Sequence, residues 1–149
     1  MFGIWSLKFI CDLVLVIWNF KMMIDLYSYQ NIILLLARIV LGVTFIKHGW
    51  PKIKKPFGMK DMLADMNFPI PAVLSVLVAV IEFVGGIFVI AGLYTQTACL
   101  LIAVVMAVAV FVKKFKMNKK WIDGYELDLT LLFLALILAL FGAGDWALS

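Results

Sequence analysis

Four long apolar runs separated by short polar connectors dominate the chain from residue 30 onwards. They cover about residues 30–49, 71–93, 98–112 and 121–141. A helix rises 1.5 Å per residue, so about 20 apolar residues cross a bilayer core of about 30 Å, and the run 71–93 has that length. The pattern predicts an all-α fold, an integral membrane four-helix bundle.

Two of the predicted helices carry a stripe of small and polar residues on an otherwise Leu, Ile and Val surface. A helical wheel brings the members of each stripe to within about 40° of one another. Such a stripe marks the face that packs on other helices, because small residues let backbones approach. We therefore expect both stripes to face the bundle interior: Asn31, Arg38, Gly42 and Gly49 on the first helix, and Ser75, Glu82 and Gly86 on the second.

Arg38 and Glu82 are the two ionisable residues of these stripes. A carboxylate at bilayer depth costs about 2.5–3.5 kcal/mol on insertion scales, so it normally faces a partner inside the protein. Counted from the helix ends, Arg38 and Glu82 differ little in depth, and a guanidinium can form a bidentate pair with a carboxylate. We predict that they pair with each other. The pair is either a packing lock or the lining of a functional pocket, and the sequence leaves both open.

The last helix adds a third inward-facing carboxylate to the prediction. Asp123, Glu126 and Thr130 share one face at i, i+3 and i+7, whereas Asp128 points the other way. Glu126 is then expected near the cytoplasmic end. With Lys52, His48 and Asp123 it would form a polar path to the Arg38–Glu82 pair.

The N-terminal segment and Pro51 set the predicted boundaries. Residues 1–28 have a short apolar centre flanked by charge and no small-residue cleavage site, which argues against a cleaved signal peptide. A spanning helix and an interfacial helix both remain open for this segment. We predict two parts: an N-terminal extension, 1–28, and a four-span domain, 29–149. Pro51 is expected to break the first span.

Composition and charge exclude a soluble class and indicate an orientation. Hydrophobic residues make up 66% of the chain, and the mean hydropathy is +1.12. The net charge is +4, but ten of the 13 Lys and Arg residues lie in the segments 47–60 and 113–120. Basic loops are retained in the cytoplasm, so we predict a plasma or inner membrane protein with both loops cytoplasmic and the C-terminus outside. A nucleic-acid partner is not expected.

Few residues in this chain could bind a metal or haem. Cys11 and Cys99 form no CxxC or metal-ligand spacing, and we expect both to be inert apolar thiols. His48 is the single histidine, so the chain alone cannot build a bis-histidine haem site or a His-rich metal site. No flavin motif is present either, and no intrinsic cofactor is expected.

Several motifs occur in an order that resembles the DoxX family of small four-helix membrane proteins. They are LLLARIVLGVTFIKHGWPKI, IEFVGGIFVIAGLYTQTA, GYELDLTLL and the terminal GAGDWALS. The resemblance covers about residues 30–149. It implies a membrane subunit associated with redox proteins, in some members part of a thiosulfate:quinone oxidoreductase or linked to a quinol oxidase. The positions that match the family's polar and glycine residues are Arg38, Gly49, Lys52, Glu82, Gly86 and Glu126.

Two classes of function follow as expectations. In the first, the protein is an accessory subunit of a quinone-linked complex. Arg38, Gly49, Lys52, Glu82 and Gly86 then bind the quinone, and Glu126, His48 and Asp123 carry protons. In the second, it is a structural or assembly subunit without its own activity; a small transporter or proton path is a weaker third. Expected partners are membrane lipid and other membrane or redox subunits, with catalysis by the chain itself and a homo-oligomer left open.

Overall fold

A computed structural model describes residues 8, 10–15 and 29–148, and for Asp123 the backbone alone. The chain divides into two units, Met1–Gln30 and Asn31–Ser149. In the first unit, residues 8 and 10–15 are helical. Whether the segment 1–28 crosses the membrane depends on residues outside the described ranges. Its separation as a domain stays a prediction.

Residues 29–148 form the predicted all-helical bundle and contain no strand. Three helical segments are long and apolar enough to cross a membrane: Gln30–Lys54, Pro71–Ala91 and Thr95–Lys116. The α-helices are α1 (Gln30–Lys54), α2 (Lys60–Asp65), α3 (Pro71–Ala91), α4 (Thr95–Phe111) and α5 (Glu126–Phe141). Single π-helical segments, Val112–Lys116 and Trp121–Tyr125, follow α4 and precede α5.

Helix α1 continues through Pro51, so the prediction that this proline ends it is wrong. Pro51 lies inside the helix, which runs on to Lys54. Proline removes one N–H bond to the preceding turn. The following residues still close their own turn, since the amide of Lys55 donates to the carbonyl of Pro51 at 3.1 Å. The extra residues place Lys52 on the helix, and this matters at the site.

Local sequence signals set both ends of α3. Pro71 begins the helix, at a position where a missing N–H costs nothing. Gly92 ends it with φ +78° in the left-handed region, which glycine adopts without strain. The amides of Gly92 and Leu93 donate back to Val89 and Phe88 at 3.3 and 3.0 Å, a Schellman motif.

Asp128, not Glu126, is the carboxylate of α5 that faces inward. Asp128 is buried, whereas Glu126 is half-buried and Thr130 is exposed. The predicted assignment of these two acidic residues was therefore wrong. Asp128 shares its face of the helix with Leu131 and Ala135, which are buried at i+3 and i+7, so the apolar residues of α5 mark the inward face.

The core lies between the helices, and most of the outer surface is apolar. Fully buried side chains include Leu41, Phe45, Ile102 and Leu138. Large apolar residues are exposed on the opposite faces, for example Leu36 at 56% and Val104 at 62%. An exterior that is apolar along whole helices suits lipid, because water would penalise it.

Candidate functional site

Helices α1 and α3 cross in antiparallel directions through a seam of glycines. A Cβ atom on Gly86 would lie 2.9 Å from the carbonyl oxygen of Gly42, and one on Gly49 would lie 2.7 Å from the amide nitrogen of Phe83. The two backbones therefore touch at both levels. At these glycines the seam holds helix against helix and leaves no space for a ligand, so Gly49 and Gly86 act as packing positions here.

Glu82 pairs with Lys52 at one end of this seam. The ammonium nitrogen of Lys52 lies 2.5 and 2.6 Å from the two carboxylate oxygens of Glu82. The Glu82 side chain is 3% exposed and that of Lys52 is 29% exposed. The carboxylate is thus enclosed, and the lysine connects it to the end of the bundle where α1 terminates.

Arg38 occupies the other end of the seam, and all its hydrogen bonds to residues that the structure describes go to backbone carbonyls. Its Nε donates to Val89 O at 3.0 Å and its Nη2 to Ile90 O at 2.7 Å. Its Nη1 donates to Ala143 O at 2.9 Å and to Trp146 O at 3.1 Å. Two of these acceptors, Val89 O and Ile90 O, are carbonyls of the last turn of α3, where a cation is also favoured by the helix dipole.

The predicted ion pair between Arg38 and Glu82 is therefore wrong, although both side chains are buried as expected, at 1% and 2% exposure. The acceptors of Arg38 on α3 lie seven and eight residues beyond Glu82, about 10–12 Å along the axis. Counting depth from the helix ends failed because the glycine seam sets the register of the two helices: Gly42 packs against Gly86, which places Arg38, one turn earlier, level with the end of α3. Each charge consequently has a different partner.

The segment 142–148 completes the Arg38 cluster and was missed as a functional element. Asn31 and Asp145 bond reciprocally, with Asn31 Nδ2 donating to Asp145 Oδ2 at 2.7 Å and the Asp145 amide donating to Asn31 Oδ1 at 3.2 Å. Gly142 and Gly144 have φ of +78° and +74°. These glycines were the available signal, because left-handed backbone folds a chain back on itself.

The sequence also contained a signal that Lys52 faces the bundle interior. It follows Arg38 by 14 residues, about 40° around a helical wheel, so it lies on the same polar stripe once the helix is continued. Lys52 was not assigned to that stripe because the helix was expected to end at Pro51. The prediction did include Lys52 among ligand-binding residues, but not as the partner of Glu82.

The residues that the structure describes do not form the predicted proton path. His48 is exposed, and the side chain of Asp123 is not among those described. A second ion pair is present, between Lys113 Nζ and Asp128 Oδ2 at 2.6 Å, with the carboxylate 12% exposed and the lysine side chain 38% exposed. It joins the end of α4 to the start of α5. Among the described residues, no group of three or more His, Cys, Asp or Glu side chains could hold a metal ion.

Comparisons with known proteins agree with this architecture. The family model named DoxX matches residues 33–114. A Bacillus subtilis protein named "Putative oxidoreductase CatD" is 30% identical over 115 residues, covering 77% of this chain and 83% of that protein. Two Escherichia coli proteins are also similar. "Inner membrane protein YphA" is 29% identical over 77 residues, covering 52% of this chain and 55% of that protein. "Inner membrane protein YqjF" is 32% identical over 74 residues, covering 50% and 55%. No solved structure matches significantly. The chain belongs to the DoxX family of membrane proteins.

Proposed function

We propose that this protein is an accessory membrane subunit of a quinone-linked oxidoreductase, in which Lys52 and Glu82 exchange protons at one membrane face. The observation that carries the proposal is the enclosed carboxylate of Glu82, whose exposed neighbour is a lysine 2.5 Å away. Intramembrane ionisable groups are costly and usually functional. The relative named as an oxidoreductase supports redox chemistry for the complex.

The quinone position in this proposal is the lipid-facing surface beside Lys52, not the Arg38 cluster. All three nitrogens of Arg38 donate to carbonyls, and a Cβ on Gly92 would lie 2.5 Å from Nη2, so a quinone head group does not fit there. The rings of Trp50 and Phe83, which neighbour Lys52 and Glu82 in the sequence, stand 5.5 Å apart, and Trp50 is 50% exposed. Aromatic rings of this kind can stack a flat head group, while Lys52 donates to a carbonyl.

A bound quinone would accept two electrons and two protons when reduced. In this proposal the electron carrier belongs to a partner subunit. Lys52 orients the quinone carbonyl by a hydrogen bond, and the Lys52–Glu82 pair supplies protons from its exposed end. Because Glu82 is enclosed by helices, a proton reaches it through Lys52.

The test is native purification of the full-length protein with its partners, followed by quinone analysis of the lipid extract and turnover measurements. Wild type should co-purify with quinone in stoichiometric amounts. Lys52→Met should retain the partners, lose the quinone and lower turnover at least about tenfold, since an unmet buried hydrogen bond to a charged group is worth about 1.5–3 kcal/mol. Lys55→Met is the matched control, because Lys55 is exposed on the same basic segment. Quinone-free wild-type complex, or normal turnover in a folded Lys52→Met complex, would reject the proposal.

The second candidate is a structural or assembly subunit, and the Arg38 cluster favours it. A buried guanidinium that ties the end of α3 to the segment 142–148 is a packing device. Under this candidate, turnover falls only in proportion to the amount of assembled complex. Replacing Lys52 and Glu82 together by apolar residues would then leave the turnover of each assembled complex unchanged, which is the opposite of the first proposal.

We also propose an inner membrane location with the basic segments 47–60 and 113–120 in the cytoplasm. Support comes from the positions of ten of the 13 Lys and Arg residues and from the two inner membrane relatives. In a Cys11→Ser background, Lys55→Cys in spheroplasts should resist a membrane-impermeant maleimide, and Thr97→Cys should react. The reverse labelling pattern would contradict this orientation.

A further inference from the structure

A groove of about 520 Å³ lies between the connector 66–70 and the last turns of α4. The apolar residues that line it are Phe68, Pro69, Ala107, Val108 and Phe111. Its volume lies within the range of about 300–1,000 Å³ that small-molecule sites occupy. The groove includes neither Lys52 nor Glu82, so what it binds does not depend on the quinone proposal.

The α4 wall of the groove belongs to the surface that faces lipid. Val108 and Phe111 are 46% and 51% exposed, and they lie on a helical segment long and apolar enough to cross a membrane. Exposed apolar side chains of such a helix contact the hydrocarbon of the bilayer. The solvent that fills a hollow in this surface is therefore a lipid acyl chain.

Lys116 places a cation at the polar end of this groove. Its Nζ donates to the carbonyl of Met66 and lies 4.8 Å from the centre of the Phe68 ring, and Lys116 itself lines the groove. An ammonium group has three donors, so the bond to Met66 leaves two for a ligand. Within residues 29–148, Lys116 forms no ion pair with a carboxylate. Its charge is thus positioned by the fold but not neutralised by it.

The charge around the groove favours an anion. The segment 113–120 contains five lysines and no acidic residue. The amide of Lys119 donates to the carbonyl of Lys113 at 2.9 Å, so this segment folds back beside the end of α4. Asp65 precedes the connector but does not line the groove. A ligand that fits both parts of the site has an apolar chain and an anionic head.

We propose that this groove binds an anionic phospholipid, with one acyl chain against Val108 and Phe111 and the phosphate at Lys116. The Asn67 side chain also lines the groove and adds an amide donor for a head group oxygen. Basic pockets beside membrane-spanning helices bind anionic head groups on the cytoplasmic side. The proposed cytoplasmic location of the segment 113–120 places the site in that leaflet.

The test is native mass spectrometry of the full-length protein, delipidated in a neutral detergent and titrated with phosphatidylglycerol or with phosphatidylcholine of identical acyl chains. Wild type should bind one phosphatidylglycerol saturably and phosphatidylcholine at least about fivefold more weakly, the factor expected for one lysine at an anionic head group. Lys116→Gln should remove this preference, while its side-chain amide can still donate to the Met66 carbonyl.

Lys120→Gln is the matched control for the head group. Lys120 is exposed in the same basic segment and does not line the groove, and the variant changes the net charge by the same amount. It should keep the preference for phosphatidylglycerol. Equal affinity of wild type for the two lipids, or an equal loss of preference in the two lysine variants, would overturn the proposal.

A groove-filling variant tests the acyl chain independently of the head group. Val108→Trp fills the groove, and it should abolish phosphatidylglycerol binding at concentrations that saturate wild type. Val104→Trp is the control, because Val104 lies one turn earlier on the same face, is 62% exposed and does not line the groove. Equal binding in both tryptophan variants would overturn the site. A lipid-free wild-type dimer that Val108→Trp dissociates would show that a second copy covers the groove, which would also overturn the proposal.

Discussion

Removing Lys52 should damage the protein far more than removing Glu82, although the two form one ion pair. In Lys52→Met, the carboxylate of Glu82 stays enclosed at 3% exposure without its cation. In Glu82→Gln, the ammonium of Lys52 starts from 29% exposure and can turn toward water along its flexible stem. The two variants differ because the side chain of Lys52 can reach water, whereas that of Glu82 cannot.

The expected losses of unfolding free energy differ accordingly. Breaking a buried pair by removing one partner costs about 3–5 kcal/mol when the remaining charge is trapped. We assign that range to Lys52→Met. For Glu82→Gln we expect about 1 kcal/mol, the range of a partly solvated pair. The double variant Lys52→Met/Glu82→Leu buries no charge and should come within about 1 kcal/mol of wild type.

The assay is reversible unfolding in mixed detergent and sodium dodecyl sulfate micelles, followed by tryptophan fluorescence. Lys54→Met serves as the control, because Lys54 is exposed and its ammonium nitrogen lies 4.9 Å from the centre of the Trp50 ring. Equal losses of unfolding free energy in the two single variants would refute the reasoning. So would a double variant whose loss equals the sum of the single losses, since the pair would then contribute no coupling.

Three further predictions concern the glycine seam, the segment 142–148 and the Lys113–Asp128 pair. Gly86→Ala places a Cβ 2.9 Å from a backbone oxygen and should lower the free energy of unfolding by several kcal/mol. Gly85→Ala places a Cβ 3.3 Å from the end of an isoleucine side chain and should lower it by about 1 kcal/mol or less. Denaturation of both proteins measures the difference. Arg38→Met should release the segment 142–148, seen as carboxypeptidase cleavage of the folded protein, and Arg38→Lys should restore part of the protection. If carboxypeptidase did not cleave the Arg38→Met protein, Arg38 would not be what holds the segment 142–148. Lys113→Met leaves a buried carboxylate unpaired and should lower the melting temperature, while Lys114→Met next to it should not; equal shifts would argue against that pair.

The structure divides the polar residues of the bundle between its two ends. Arg38 joins helix ends to the segment 142–148, so its contribution is architectural. Lys52 and Glu82 lie at the opposite end of the seam, where one partner reaches the surface. This separation explains why no ligand pocket forms between Arg38 and Glu82. Variants at each end can therefore be tested independently.

Periodicity in the sequence was sufficient to predict the helices and the inward faces of α1 and α3. The stripes of small and polar residues identified Arg38, Glu82 and the glycines as interior positions, and their burial confirms this. That prediction works because angular position depends only on residue spacing within a regular helix. The apolar composition was likewise sufficient to predict a membrane protein, since the exposed faces must match their solvent.

Partners and depth were decided only by the tertiary structure. Arg38 met backbone carbonyls because the glycine seam sets the register of α1 against α3, and Glu82 met Lys52 because α1 continues through Pro51. Asp128 lies in the interior instead of Glu126 because it shares the face of α5 on which the buried Leu131 and Ala135 pack. Axial offsets and local changes of helix type arise from packing between segments far apart in sequence. A single helix pattern determines which way a side chain points, but only the packed bundle determines what it touches.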